Sequence, residues 1–299
     1  MKSAQENRTL PGGLGRAVRR SEMVPLALLI VAFATSMSLS SSFRDAAYLL
    51  KTATRYMELG MTALTMTLIV TAGMIDLSVP SVMCCSATVT ALLFHGGMHM
   101  GLAICFGILT GAACGAFNGF FIAFLKLPAM IVTIGTMNVF RGISQIFIGD
   151  KSLGSFPDWF NSVEKIGLFT FGKAKFGVTL LVFIVAALVM YLVLHRTSFG
   201  RKVFAIGANE SVAIYSGVNT RRVKMTLFIV SGIVSSIAGL MMMSRLLLVR
   251  YDMSLNTEID VVTMVLLGGA DINGGRGSII GGSVWIIESV PPFSKVYNR

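Results

Sequence analysis

The feature that most constrains this chain is a succession of apolar runs, each close to the length needed to cross a bilayer, separated by short connections. A crossing needs about 20 mostly apolar residues. Runs of that kind occupy 24–39, 57–72, 77–94, 102–125, 131–148, 178–194 and 225–248. A broken pair, 259–267 and 278–287, follows around a glycine-rich stretch. Only 13% of the 299 residues are charged while 54% are hydrophobic, and the mean hydropathy is +0.76. A soluble domain carries about 25% charged residues, so a soluble enzyme is excluded, and a disordered chain needs low hydrophobicity. The expectation is an all-α, polytopic transmembrane helix bundle of about eight or nine spans, some of them broken.

The net charge of +11 is read as loop bias, because basic residues accumulate in cytoplasmic loops. No aromatic-plus-basic module argues for nucleic acid. Residues 1–23 hold Lys2, Arg8, Arg16, Arg19 and Arg20, which places the N-terminus in the cytoplasm. The run at 24–39 has no small-residue cleavage site and is expected to be an uncleaved first helix. Counting crossings puts the 195–224 loop in the cytoplasm, where Arg196, Arg201, Lys202, Arg221, Arg222 and Lys224 oppose the single acid Glu210. The 149–175 loop is then external, with Phe156, Trp159 and Phe160 suited to the interfacial aromatic belt. Residues 24–288 form one membrane domain, and nothing resembles a separate soluble one.

Chemistry-bearing patterns are sparse. No phosphate-binding loop, nucleophile elbow or zinc-binding histidine pair occurs, so no catalytic or metal residue is assigned. The glycine-rich 268–277 stretch follows no Rossmann strand. Cys84, Cys85, Cys105 and Cys114 lie in apolar runs without metal spacing and read as small buried hydrophobes. Met241, Met242 and Met243 read as core or lipid contacts.

Asp76 and Arg141 are the main intramembrane ionisable residues, and such residues mark function by default. Gly73 permits a helix break before Asp76, Asp76 or Ser78 can cap the next helix, and Pro80 fits its first turn. The break either lines a translocation cavity or makes an ordinary turn between spans. Thr133, Thr136 and Asn138 place hydrogen-bonding groups in an apolar helix, suited to a polyhydroxy solute or to interhelical bonds. Gly111, Gly115 and Gly119 repeat every four residues, a face for close helix packing within the chain or across a dimer. In the basic loop, Asn209 can cap a short helix that begins at Glu210, carries Ala213 and stops at Gly217. Such a helix is a docking knob for a cytoplasmic partner or an interfacial helix without one.

Four ordered segments resemble the permeases of bacterial ABC sugar importers of the branched-chain/ribose type. They are Ile75-Asp76-Leu77-Ser78-Val79, Ile131 through Thr136, Phe199-Gly200-Arg201 through Asn219, and Leu267-Gly268-Gly269 with Gly274 through Gly281. The resemblance covers roughly 24–288. It implies a monosaccharide or small polyol as solute and alternating access as mechanism. It also implies a second permease chain, an external solute-binding protein and a cytoplasmic ABC ATPase that carries the ATP and Mg. Gly207, Asn209, Glu210, Ala213 and Gly217 would couple to that ATPase; Asp76, Ser78, Thr133, Thr136 and Asn138 would lie near the pathway. An ion-coupled carrier and a membrane-embedded enzyme are the alternatives.

Two departures stand out. The family pattern favours glycine where this chain has Met74 and Pro80. After Gly282 the family continues through apolar sequence, whereas here Glu288, Pro291 and Pro292 lead into a polar 289–299 tail. The tail reads as a truncation or shifted frame, and a chain without its family's last span is expected to be impaired in transport.

Overall fold

The computed structural model describes residues 46–163, 167–171 and 174–279, with a few positions between 30 and 38. The segments 1–23 and 289–299, most of the 24–39 run and all but the start of the 278–287 run lie outside them.

The helices are α1 (Ala46–Thr71), α2 (Val79–His95), α3 (Met100–Ala123), α4 (Ala129–Ile148), a single turn α5 (Asp158–Asn161), α6 (Val178–Arg196), α7 (Ser198–Ala208), α8 (Glu210–Tyr215), α9 (Thr220–Leu246) and α10 (Thr257–Leu267). Among the described residues, α3, α4, α6 and α9 are long and apolar enough to cross a membrane; α2 and the 56–71 part of α1 are shorter apolar helices. This is an all-α membrane bundle.

The helices sort by burial. From Met61 to Thr71, α1 is buried on every side, and α2 is buried from Val79 to Thr88. A helix apolar all round belongs in the interior. By contrast α3, α4 and α6 leave Leu109, Ile146 and Leu188 exposed, as lipid-facing helices do. Thr62, Thr65, Thr67 and Thr71 sit in the buried part of α1, each donating its hydroxyl to a carbonyl of its own helix at 2.6–2.9 Å. A buried hydroxyl without a partner is costly, and this back-bonding removes the cost.

The most extensive pairing joins α9 to α3, and its cause is backbone proximity. A Cβ on Gly111 would strike the Gly232 carbonyl and Ser236. One on Gly115 would meet the Phe228 carbonyl, and one on Gly119 the Met225 sulfur. Gly232 answers from α9 by lying on Gly111 and Gly115. Helices that touch through backbone in this way need small residues at the crossing. The glycine stripe therefore packs within the chain.

The end opposite the basic loop contains features absent from the sequence reading. Leu153–Gly154 (β1) pairs antiparallel with Leu248–Val249 (β4), and Gly167–Phe171 (β2) forms a hairpin with Ala174–Gly177 (β3). Phe156 and Phe160 do not join an interfacial belt: each is 5% exposed, in a cluster with Met100, Leu240, Met243 and Val249. The loop folds back over the bundle, and two phenylalanine rings, with no polar tip to keep wet, are buried in it. Trp159 stays exposed. Arg245 donates to Glu58 from Nε (2.8 Å) and Nη2 (3.2 Å), a bidentate pair that ties the end of α9 to α1. Of the cysteines, all free, Cys105 is exposed and the other three are buried.

Candidate functional site

The break between α1 and α2 is the centre of the candidate site. Gly73 takes φ +75°, a left-handed conformation that glycine adopts without steric cost. It lets the chain leave α1 and turn into the Met74–Ser78 segment. Pro80 occupies the first turn of α2, where a missing amide proton costs nothing. The cap itself differs from expectation. Ser78 stands at the N-cap position but makes no side-chain cap bond. Its amide and its hydroxyl both donate to Asp76 Oδ1, at 3.0 and 2.6 Å.

Asp76 is 3% exposed. Its second oxygen, Oδ2, accepts from the Ser231 hydroxyl of α9 at 3.1 Å. Asn118 of α3 donates through Nδ2 to Ser78 Oγ at 2.7 Å, and the Thr133 hydroxyl of α4 lies 3.3 Å from the Ile75 carbonyl. Asp76 thus joins the break to α9, while α3 bonds Ser78 and α4 bonds the Ile75 carbonyl, so that four elements meet in one knot of neutral donors. Asn118 Oδ1 is left buried without a partner.

Thr136 is buried one turn above Thr133 and bonds its carbonyl at 3.3 Å. Asn138 is elsewhere: it is exposed, bonding the Ile134 carbonyl of its own helix at 3.0 Å. The structure therefore brings Asp76, Ser78 and Thr133 together, with Thr136 adjacent, and separates Asn138 from them. Arg141 reaches Ser81 at 3.4 Å, with its Nη1 buried and unpartnered. Ser231 and Asn118 were missed. Asn118 had a signal, an amide inside the glycine stripe of an apolar span; Ser231 had none.

The basic loop lies directly on this break. Asn209 Oδ1 accepts from the Val212 amide at 3.0 Å and caps α8. Gly217 ends the turn with φ +81°. Ala213 is buried in the main core cluster while Val212, Ile214 and Tyr215 point outward, Tyr215 at 92% exposure. Lys224 pairs with Glu210 at 2.6 Å, tying α8 to the first turns of α9.

Below α8, three backbones meet. A Cβ on Gly207 would strike the Thr71 carbonyl and the Gly275 amide; one on Gly274 would lie 2.7 Å from Gly73 Cα and 2.9 Å from the Gly207 carbonyl. The Gly275 amide donates to the Thr71 carbonyl at 2.8 Å, satisfying a helix-end acceptor that has no partner within its own helix. The break, the basic loop and the glycine-rich stretch, far apart in sequence, close on one point.

A family model described as branched-chain amino acid transport system / permease component matches residues 48–287. The chain belongs to that family. It is 31% identical over 275 residues to the autoinducer 2 import system permease protein LsrD of Escherichia coli (strain K12), an alignment covering 89% of this chain and 81% of the relative. The LsrD proteins of Shigella flexneri and of Escherichia coli O157:H7 match over the same shares at 31% and 30% identity. No solved structure matches. The chain is thus a multi-pass transport permease of the inner membrane, in the family of ABC sugar importer components.

Proposed function

We propose that this permease carries a monosaccharide or similar small polyol inward by alternating access, driven by a cytoplasmic ATPase that docks on α8. The observation that carries the reading is the position of α8. It exposes Val212, Ile214 and Tyr215 outside the apolar helices and follows directly on α7, whose Gly207 lies on the backbone of the break. A push on α8 is transmitted with little slack, because backbone in contact with backbone has no side chain to yield. Protein interiors are close-packed and pass displacement on in this way.

In this reading Gly207, Asn209, Glu210, Ala213 and Gly217 build the coupling element, and ATP with Mg belongs to the ATPase chain. Asp76, Ser78, Thr133 and Thr136 form the gate-closing knot beside the pathway. The exposed Asn138 fits a pathway formed between two permease chains rather than inside one. An external solute-binding protein delivers the solute, and the N-terminus lies on the ATPase side. With both oxygens of Asp76 engaged by neutral donors, a structural part for this acid is better supported than proton carriage.

The test is purification of the tagged chain from its native membranes, wild type beside Tyr215→Asp. Recovery of an ABC ATPase with the wild type only, at equal membrane levels of the two proteins, is the expected result. Uptake that stops with a protonophore yet survives ATP depletion would replace this reading with an ion-coupled carrier.

A further inference from the structure

At the end of the bundle bearing the basic loop, a cleft of about 770 Å³ opens between the α3–α4 turn, α8 and the start of α9. Its volume falls in the range of small-molecule sites, roughly 300–1,000 Å³. Three cations line it, Lys126, Arg221 and Lys224, against one acid, Glu210. Lys224 neutralises that acid at 2.6 Å. Neither Lys126 nor Arg221 has an acidic partner among the described residues, so two positive charges face one cavity without compensation. Lys126 is held there by a left-handed backbone, φ +57°, a strained conformation for a lysine and a pointer towards function.

The rest of the lining suits one kind of ligand. Ser211, Asn219 and Thr220 supply hydrogen-bonding groups to the lining, and Ile122, Leu127 and Pro128 supply apolar surface. The 27-residue α9 begins at the cleft, so the positive end of its dipole adds to the field. Phe124, Leu125 and Met130, neighbours in sequence of the lining residues, are exposed.

We propose that this cleft binds a phosphate anion, carried by an anionic lipid headgroup or by a small soluble phosphate ester. The anion bridges Lys126 on the α3–α4 turn to Arg221 on α9. Arginine and lysine clusters of this kind recognise phosphate through charge-assisted hydrogen bonds, and basic pockets between membrane helices hold lipid phosphates. Because the bridge spans the elements on either side of α8, its occupancy restrains the movement of that helix. The binding claim rests on the cleft alone and stands independently of the importer mechanism.

The test uses the full chain without partners. Lipid retention is read by native mass spectrometry after reconstitution with phosphatidylglycerol or with phosphatidylcholine. Soluble ligands are read by thermal shift in delipidated micelles, with inorganic phosphate and glycerol phosphate as probes. We expect binding in at least one arm, weakened about tenfold by K126Q/R221Q. It should be kept by K126R/R221K and changed less than about twofold by K202Q/R222Q, which removes exposed cations outside the cleft. Retention of phosphatidylglycerol alone identifies the headgroup as the source, and a response to the soluble probes alone identifies the ester. Three results overturn the proposal. They are silence in both arms, equal loss in K202Q/R222Q, or K126Q/R221Q that binds anions normally while losing the ATPase on purification from native membranes.

Discussion

The two ends of this bundle are held together by opposite means. At the end away from the basic loop, side chains provide the cohesion: the Glu58–Arg245 pair, the Phe156 and Phe160 rings, and a cluster around Met243. At the basic end, glycine backbones touch each other and neutral donors surround one carboxylate. One end is sensitive to losing atoms, the other to gaining them. Bulk and charge make a rigid clasp. At the other end backbone meets backbone in a joint, with no side chain between them to yield.

The largest expected effect breaks the clasp. Arg245→Met takes the guanidinium away from Glu58, whose side chain is 3% exposed. Removing one member of a buried pair costs about 3–5 kcal/mol. Arg245→Met with Glu58→Leu should recover most of that loss, since an apolar pair of similar volume is often neutral or better. Thermal unfolding of the purified chain in micelles reads both, and an equally unstable double variant would show that the pair matters through packing alone.

Next comes the joint. Gly207→Ala puts a methyl against the Thr71 carbonyl and the Gly275 amide, neither of which can rotate away. Overpacking of this kind costs about 1–3 kcal/mol. Its sharper signature is functional: ATPase activity of the assembled transporter should persist while solute uptake falls. If both survive, the glycine contact carries no coupling. A methyl at Gly135, which has nothing within 4 Å, is the neutral control for stability.

A smaller effect, about 1 kcal/mol, is expected for Asn209→Ala. It removes the cap on the Val212 amide and frays α8. Asn209→Asp should keep the cap and most of the stability. Equal loss in both variants would mean that the carboxamide serves something other than the helix start.

How much of this was legible beforehand follows the same division. The long apolar helices among the described residues were, because an apolar run of span length has few other ways to fold. The Asn209 cap and the Gly111-Gly115-Gly119 face were also visible, since each is a local pattern with a fixed spacing. The clasp was not: Glu58 and Arg245 are 187 residues apart, and nothing in either neighbourhood names the other. Phe156 and Phe160 misled for a related reason. Aromatic residues in a loop between spans suit an interface, but the β1–β4 pairing that draws this loop over the core involves two residues on each side. The knot was half visible. Asp76 and Ser78 announced a break, while Ser231 looked like any serine in an apolar helix until α9 was packed against it.

The smallest expected change in stability is the one that most sharpens the contrast between clasp and joint. Tyr215 is 92% exposed, so Tyr215→Ser removes a ring that touches little of the chain. A surface substitution of this kind shifts stability by at most about 0.5 kcal/mol. Yet an exposed tyrosine on a capped helix is the type of residue that anchors a protein interface. The clasp should be stable and silent towards partners; α8 should be indifferent to stability and decisive for partners. Unchanged thermal unfolding with at least a tenfold weaker hold on the co-purifying ATPase, about 1.4 kcal/mol, would separate the two. An unchanged ATPase yield would move the docking surface off this ring and towards Val212 and Ile214, the other exposed apolar residues of the helix.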